Sequence, residues 1–301
     1  MHLVDIDDLT TEELHAVLDE ADRLRAAREA GEQPTPLPDR TLAMVFEKPS
    51  TRTRVSFETG MTQLGGHAVF LGPDDIHLGH GEPLRDTARV LSRYADFVMA
   101  RVFDHADVVE LAEFATVPVI NGLSDTAHPC QTLGDLLTIR DRFGTLDVSV
   151  AWVGDGNNVC QSLALGAAMT DLDLTVATPP GYGIDDGVRR RAVGLDSPPV
   201  ETTDPEAAVA DADVVYTDVW VSMGEENERE EKLQAFEGFQ VTTDLLGDRQ
   251  LMHCLPAHRG EEVTNTVMEG DHLAWDQAEN RMHAQKALLV WLAEQAAAAR
   301  P

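Results

Sequence analysis

Hydrophobic positions along the chain follow two periods in turn. Residues 11–29 (TEELHAVLDEADRLRAARE) carry apolar side chains at helical spacing behind an acidic first turn, which predicts a helix. After the Pro-rich connector GEQPTPLPDR, the short apolar run TLAMVFE (41–47) predicts a buried strand. STRTRVSFETGMTQLG reads as a helix that opens on a Ser cap and closes at Gly65-Gly66. HAVFLG is strand-like, LRDTARVLSRYA helical, DFVMAR a strand, DVVELAEFA a helix and VPVING a strand. Strands alternating with helices predict an α/β domain built on a mainly parallel sheet.

HPCQTLGDLLTIRDRFG (128–144) is helical and ends at Gly144, after which the alternation restarts. DVSVAWVGDG is a strand and turn, NNVCQSLALGAAMT a helix, and DLTVATP, ADVVYTDVW and QLMHCLP three further strands. The tail NRMHAQKALLVWLAEQAAAA is a closing amphipathic helix. The fold class is therefore α/β in two domains, each a mainly parallel sheet flanked by helices, with the boundary near Gly144.

Charge changes this picture at one place. The 301 residues carry a formal net charge of -30, and Lys48, Lys232 and Lys286 are the only lysines. Yet Lys48, Arg52 and Arg54 fall in an acid-free stretch, KPSTRTR, between a predicted strand and a predicted helix. Elsewhere the acidity fits a solvated surface, and more specifically one kept hydrated in high salt, where ions screen its self-repulsion. It excludes nucleic acid as a partner, since phosphate binding needs a basic footprint. No apolar run is long enough for a membrane span, and the acidic start MHLVDIDDLTTEEL does not resemble a signal peptide, so a cytoplasmic location is expected. Cys130, Cys160 and Cys254 are too few, and odd in number, for a disulfide framework.

The basic stretch has a chemistry of its own. A helix N-terminus leaves amide N–H groups unpaired at the positive end of the helix dipole. Ser50, Thr51 and Thr53 add hydroxyls, and Arg52 adds a planar fork suited to phosphate oxygens. The alternative is a capped helix with surface arginines, and the scarcity of cations elsewhere weighs against it. Arg101 ends a strand, where it either faces a ligand crevice or makes an edge salt bridge. His128 and Gln131 in HPCQ either hydrogen-bond a carbonyl or phosphoryl oxygen or simply form a polar first helical turn. GDGNN (154–158) follows a strand, but Val159 stands where a dinucleotide fingerprint needs its third glycine, so no nucleotide cofactor is expected. Its two asparagines suit a carboxylate. In DVWVSMG (218–224), Asp218 suits an ammonium group, or the segment is ordinary loop. Cys254 in HCLPAH is a nucleophile, a proton partner or a buried apolar residue. His128, Cys130, His253, Cys254 and His258 lack the spacing of a zinc site, so no metal is expected.

STRTR, DTARVLSRY, HPCQ, GDGNN, DVWVSMG, HCLPAHRG and ENRMHAQKALL, in that order over residues 50–289, together resemble the ornithine carbamoyltransferases of the aspartate/ornithine carbamoyltransferase superfamily. Aspartate carbamoyltransferases carry His-Pro-Leu-Pro where this chain has HCLP and lack the Ser-Met-Gly loop. Putrescine carbamoyltransferases differ in that loop.

The resemblance implies residues 1–143 as a carbamoyl-phosphate-binding domain. Residues 144–301 would be an ornithine-binding domain, including a C-terminal helix that packs back on the first domain. It implies that Ser50, Thr51, Arg52 and Thr53 bind phosphate, that Arg101 reaches both phosphate and carbonyl oxygen, and that His128 and Gln131 hold the carbamoyl group. His77, where many relatives have Gln, would reach a neighbouring subunit's site. Asn158, with Asn157 as the adjacent candidate, would contact ornithine. Asp218, Ser222 and Met223 would hold its amino-acid end, Cys254 and Leu255 would line its pocket, and Arg281 would complete the site. Arg101, His128, Cys254 and Arg281 are then the catalytic candidates. The implied reaction moves a carbamoyl group from carbamoyl phosphate to the δ-amine of L-ornithine, giving L-citrulline and phosphate, in a homotrimer or a higher assembly of trimers. No covalent enzyme intermediate is required. A non-catalytic anion or amino-acid sensor, and an enzyme acting on another amine acceptor, are the competing readings.

Overall fold

A computed structural model describes residues 1–73, 82–195, 197–222 and 224–298. His77 and Met223 lie outside the described residues. The chain divides into two units, Met1–Gly134 together with the chain from Asn280 onward, and Asp135–Glu279.

The first unit holds a four-stranded sheet of β1 (Thr41–Phe46), β2 (His67–Leu71), β3 (Phe97–Arg101) and β4 (Val119–Leu123) in the order β2-β1-β3-β4. All its pairings are parallel, so the C-terminal ends of the four strands share one edge. The connecting helices are α1 (Thr11–Glu29), α2 (Thr51–Gln63), α3 (Leu84–Tyr94) and α4 (His105–Phe114). β1 is buried from Leu42 to Phe46, as expected of a central strand covered on both faces, whereas β2 is a half-exposed edge strand. The core under α3 and α4 is aliphatic: Val45, Val98, Ala100, Val102, Val108 and Leu111.

α5 (Pro129–Phe143) leaves the first unit and enters the second. The second sheet contains β5 (Ser149–Val153), β6 (Asp173–Ala177), β7 (Val200–Thr202), β8 (Val214–Thr217) and β9 (Gln250–His253), all parallel, in the order β7-β6-β5-β8-β9. Its helices are α6 (Asn158–Ala168), α7 (Asp186–Val193), α8 (Pro205–Val209), α9 (Arg229–Ala235), α10 (Thr243–Leu246) and α11 (Asn265–Met268). An aromatic cluster anchors this core. Trp220 stacks on Phe236 at 5.3 Å between ring centroids, and Tyr182 lies against the same ring at 5.0 Å. The sequence pattern does not show β7, a three-residue polar edge strand too short to display a period.

α12 (Ala274–Ala298) begins in the second unit and runs into the first. The units thus divide inside α5, at Gly134, ahead of the boundary expected near Gly144, and the returning helix groups with the first unit. The contacts explain this grouping: Asn280 accepts a hydrogen bond from Arg25 at 3.0 Å, and Lys286 donates to Gln63 at 2.9 Å. Gly134 lets α12 approach closely, since a Cβ there would sit 2.9 Å from the Arg281 Cα.

Candidate active site

The first unit gathers its polar residues at the C-terminal edge of its sheet. Ser50 is the N-cap of α2: its hydroxyl accepts the Thr53 amide at 3.2 Å and donates to the Thr53 hydroxyl at 3.0 Å. Arg101 ends β3, where the register with β4 shifts between Ala100 and Arg101, and a bulge of this kind re-aims a strand-end side chain. The buried Arg101 guanidinium donates to the same Thr53 hydroxyl at 3.4 Å. Ser50, Thr53 and Arg101 are therefore tied together through Thr53 Oγ1. Thr51 and Arg52 form the exposed and half-buried start of the helix.

His128 precedes α5 and is buried; its carbonyl accepts the amides of Gln131 and Thr132. Burial, and then the charges of Arg281, Arg101 and Arg52, hold its imidazole well below the usual histidine range. At neutral pH it is an uncharged ring, able to donate one hydrogen bond and accept another. Gln131 is buried too, and its side-chain oxygen accepts from Arg281 at 3.0 Å. Ser50, Arg52, Thr53, Arg101, His128, Gln131 and Arg281 thus belong to one polar cluster rich in cations and short of acids. Two neighbours play other parts. Arg54 stacks on the Phe70 ring at 3.8 Å and pairs with Glu58 at 2.9 Å, on the helix flank. Between His128 and Gln131, Cys130 is buried; its thiol donates to the Asn121 carbonyl at 3.4 Å, and burial pushes it up to about 12.

The second unit has its own cluster, at the C-terminal ends of β5, β8 and β9. Asp218, just after β8, is buried. One carboxylate oxygen accepts from the Cys254 thiol at 2.9 Å, and the other accepts from the Asn157 amide at 2.9 Å. Asn157 is also the N-cap of α6, its oxygen accepting the Val159 and Cys160 amides. Asn157 is therefore committed to holding Asp218 and the helix start, while Asn158 follows it as the first helical residue. Ser222 is half-buried, and its amide donates to Glu225 at 2.9 Å. Leu255 is half-buried with φ of 60°, a left-handed backbone rare for a branched residue. Its amide donates to His253 Nδ1 at 2.9 Å, so the ring proton sits on Nε2 and is donated to Glu262 at 3.1 Å.

Several residues here escape a reading of the sequence. Gly134 reads as a weak point in a helix, yet it is where α12 comes close enough to bring Arg281 to Gln131. The second glycine of GDGNN is needed for packing: a Cβ on Gly156 would lie 2.6 Å from Gly183 backbone atoms. Asp155, between those glycines, is buried and accepts from Lys232 at 2.7 Å. Asp218, His253 and Cys254 bring potential metal-donor atoms within 4.8 Å of one another, as do His258, Glu261 and Glu262. In the first group each side chain is already engaged in the hydrogen bonds just described.

Residues 1–141 match the carbamoyl-P binding domain of aspartate/ornithine carbamoyltransferase, and residues 146–292 match its Asp/Orn binding domain. The chain is 63% identical over 295 residues to an ornithine carbamoyltransferase of Haloquadratum walsbyi, covering 97% of each protein. The solved ornithine carbamoyltransferase of Pyrococcus furiosus is 51% identical and superposes with a TM-score of 0.91, over 96% of this chain and 95% of that one. The anabolic ornithine carbamoyltransferase of Campylobacter jejuni is 40% identical, with a TM-score of 0.92 over 98% and 99% of the two chains. Two family domains in order along the chain, and relatives this similar over nearly its full length, mean that the chain belongs to the aspartate/ornithine carbamoyltransferase family.

Proposed function

We propose that the protein catalyses carbamoyl transfer from carbamoyl phosphate to the δ-amine of L-ornithine, yielding L-citrulline and phosphate, in arginine synthesis. The observation that carries this reading is the cluster around Thr53. A capped helix start, Arg52, Arg101 and Arg281 surround a neutral buried histidine. Such a cluster favours a dianion and offers the carbonyl oxygen an uncharged donor.

In this mechanism Ser50, Thr51, Arg52 and Thr53 hold the phosphate, and Arg101 spans phosphate and carbonyl oxygen. His128 and Gln131 orient the carbamoyl group, with Arg281 fixing Gln131 at 3.0 Å. The δ-amine attacks the carbonyl carbon in its neutral form. Negative charge then develops on the carbonyl oxygen, opposite Thr53, Arg101 and His128; one such donor is worth roughly 3 kcal/mol in the transition state. The C–O bond to phosphate then breaks, the proton lost by the attacking nitrogen passes to the departing phosphate, and the arginines match the remaining charge. In the second unit, Asp218 takes the α-ammonium of ornithine, Ser222 and Asn158 take its polar end, and Cys254 and Leu255 line its path. Cys254 acts as donor and spacer to Asp218 rather than as a nucleophile. His77 and Met223 complete the proposed set as candidates for phosphate and amino-acid contact.

The working form is a homotrimer or an assembly of trimers. Exposed apolar side chains on the first unit support it: Val69 on edge strand β2, Val55 on α2, and Val90 and Tyr94 on α3. The cytoplasm is the proposed location; among the described residues no helix is long and apolar enough to cross a membrane. The excess of 53 acids over 23 lysines and arginines supports adaptation to high salt. Assaying carbamoyl transfer in molar KCl to ornithine, aspartate, putrescine and N-acetylornithine in parallel tests the acceptor. Ornithine is expected to dominate, and preference for another amine would overturn the assignment. Solution mass measured in the same buffer tests the trimer.

A further inference from the structure

Lys232 is an anomaly in its surroundings. It sits in REEKLQAF on α9, a segment that reads as a solvated charged helix, yet it is buried, with 4% of its surface exposed. Its ammonium donates to Asp155 at 2.7 Å and to Glu225 at 2.6 Å, and lies 5.9 Å from the centre of the Tyr182 ring. A buried ion cluster of this kind is a poor source of stability, because desolvation cancels most of the attraction; its best-attested use is to select one conformation.

The partners show which conformation is selected. The Glu225 oxygen that receives Lys232 also accepts the Ser222 amide at 2.9 Å, so one lysine proton fixes the acceptor of the Ser222 loop. Asp155 sits two residues before Asn157, whose amide holds Asp218, whose other oxygen receives Cys254. The Gly156 amide in the same turn donates to the Tyr182 carbonyl at 2.8 Å. Glu225 is partly exposed and would swing into water once its cation is gone, whereas Asp155 is enclosed. We propose that Lys232 is a positioning residue for the amino-acid substrate, tying the loop that bears Ser222 to the turn that bears Asn157 and Asn158. The inference rests on the ornithine reading of that site, but the ordering it assigns to Lys232 is testable without turnover.

The experiment compares wild type, Lys232→Met and Lys232→Arg in molar KCl. The first readout is amide hydrogen exchange in peptides spanning residues 218–225 and 154–158. The second is steady-state kinetics with both substrates. Lys232→Met is expected to speed exchange in those two peptides and leave β5 and β8 protected. It should raise KM for ornithine by about tenfold or more, the usual effect of losing a hydrogen bond to a charged group, while KM for carbamoyl phosphate stays within about twofold. Lys232→Arg should restore most of both effects. Unchanged exchange in the two peptides, or exchange raised across the whole second unit with kcat and both KM values altered together, would overturn the proposal. If wild type transfers nothing to ornithine, the ornithine reading falls on that result, and the exchange data still decide whether Lys232 orders the loop.

Discussion

The Cys254 thiol donates to Asp218 at 2.9 Å, so the cysteine of HCLP is bound to the carboxylate proposed to hold the substrate ammonium. A thiol in that position orients a carboxylate; it is not aimed as an acyl acceptor. Cys254→Ala is expected to raise KM for ornithine about tenfold or more, leave KM for carbamoyl phosphate nearly unchanged, and retain measurable turnover. Cys254→Ser should fall between the two. Steady-state kinetics of both variants decide the matter: complete loss of turnover in both, or a burst of phosphate from wild type without ornithine, would point to a covalent role.

His128 carries the clearest electrostatic signature. Burial and the charges of Arg281, Arg101 and Arg52 lower its pKa, so it is neutral above and somewhat below pH 6.5. Its protonation therefore does not shape the rate near neutrality; the acid limb of kcat/KM reflects the ornithine amine. His128→Asn is expected to lower kcat by about 10²–10³ without moving that limb, as for loss of one charge-stabilising donor. The linkage has a definite sign. The folded-state pKa lies below the unfolded value, so the stability this residue contributes is present above pH 6.5 and is lost as pH falls below it. A limb displaced in the variant would show that His128 titrates during catalysis.

Gly134 tests the link between packing and site. Its missing Cβ leaves room for the Arg281 backbone, and Gly134→Ala forces α5 and α12 apart at a cost of about 1–3 kcal/mol. Because Arg281 holds Gln131, the variant is expected to bind carbamoyl phosphate at least several-fold more weakly while remaining folded. Calorimetric titration with carbamoyl phosphate, beside a melting curve, checks both halves. A variant with reduced Tm and unaltered affinity would separate the helix contact from the site.

Asp155 gives a stability prediction with a pH window. Burial pushes its carboxyl up to about 6 from an ordinary 3.8, even though the Lys232 hydrogen bond holds it down. The folded state therefore binds this proton more tightly than the unfolded chain does. The stabilisation is full below about 3.8 and is lost as pH rises through 6, and it amounts to at most about 3 kcal/mol. The gap in Tm between wild type and Asp155→Asn should accordingly shift in favour of wild type as pH is lowered from 7.5 to 5. Comparing the two proteins cancels the general relief of charge repulsion in an acidic chain, and a gap independent of pH would contradict the burial argument.

What the sequence made legible follows from what has a period or a motif. Helices such as α1, α2 and α6 and the apolar strands β1, β3, β5 and β8 announce themselves by spacing. β7, α8, α10 and α11 are too short to do so. In the first unit, Ser50, Thr53, Arg101, His128 and Gln131 were nameable from local motifs and Arg281 only through the family resemblance, and the structure brings them together. What stayed hidden depends on three-dimensional partners. Lys232 looks solvated until Asp155 and Glu225 are seen around it, and Gly134 looks like a helix defect until Arg281 is seen against it. Asn157 and Asn158 cannot be told apart as neighbours in a row, whereas the N-cap geometry commits Asn157 to Asp218.

The most direct measurement follows carbon-13 carbamoyl phosphate by NMR with the purified protein in molar KCl, with and without L-ornithine. Citrulline carrying the labelled carbon is expected to appear in step with inorganic phosphate, only when ornithine is present, and to fall away in His128→Asn. Phosphate released without labelled citrulline, or no conversion by protein shown to be folded in that salt, would contradict the assignment of this chain as an ornithine-directed carbamoyltransferase.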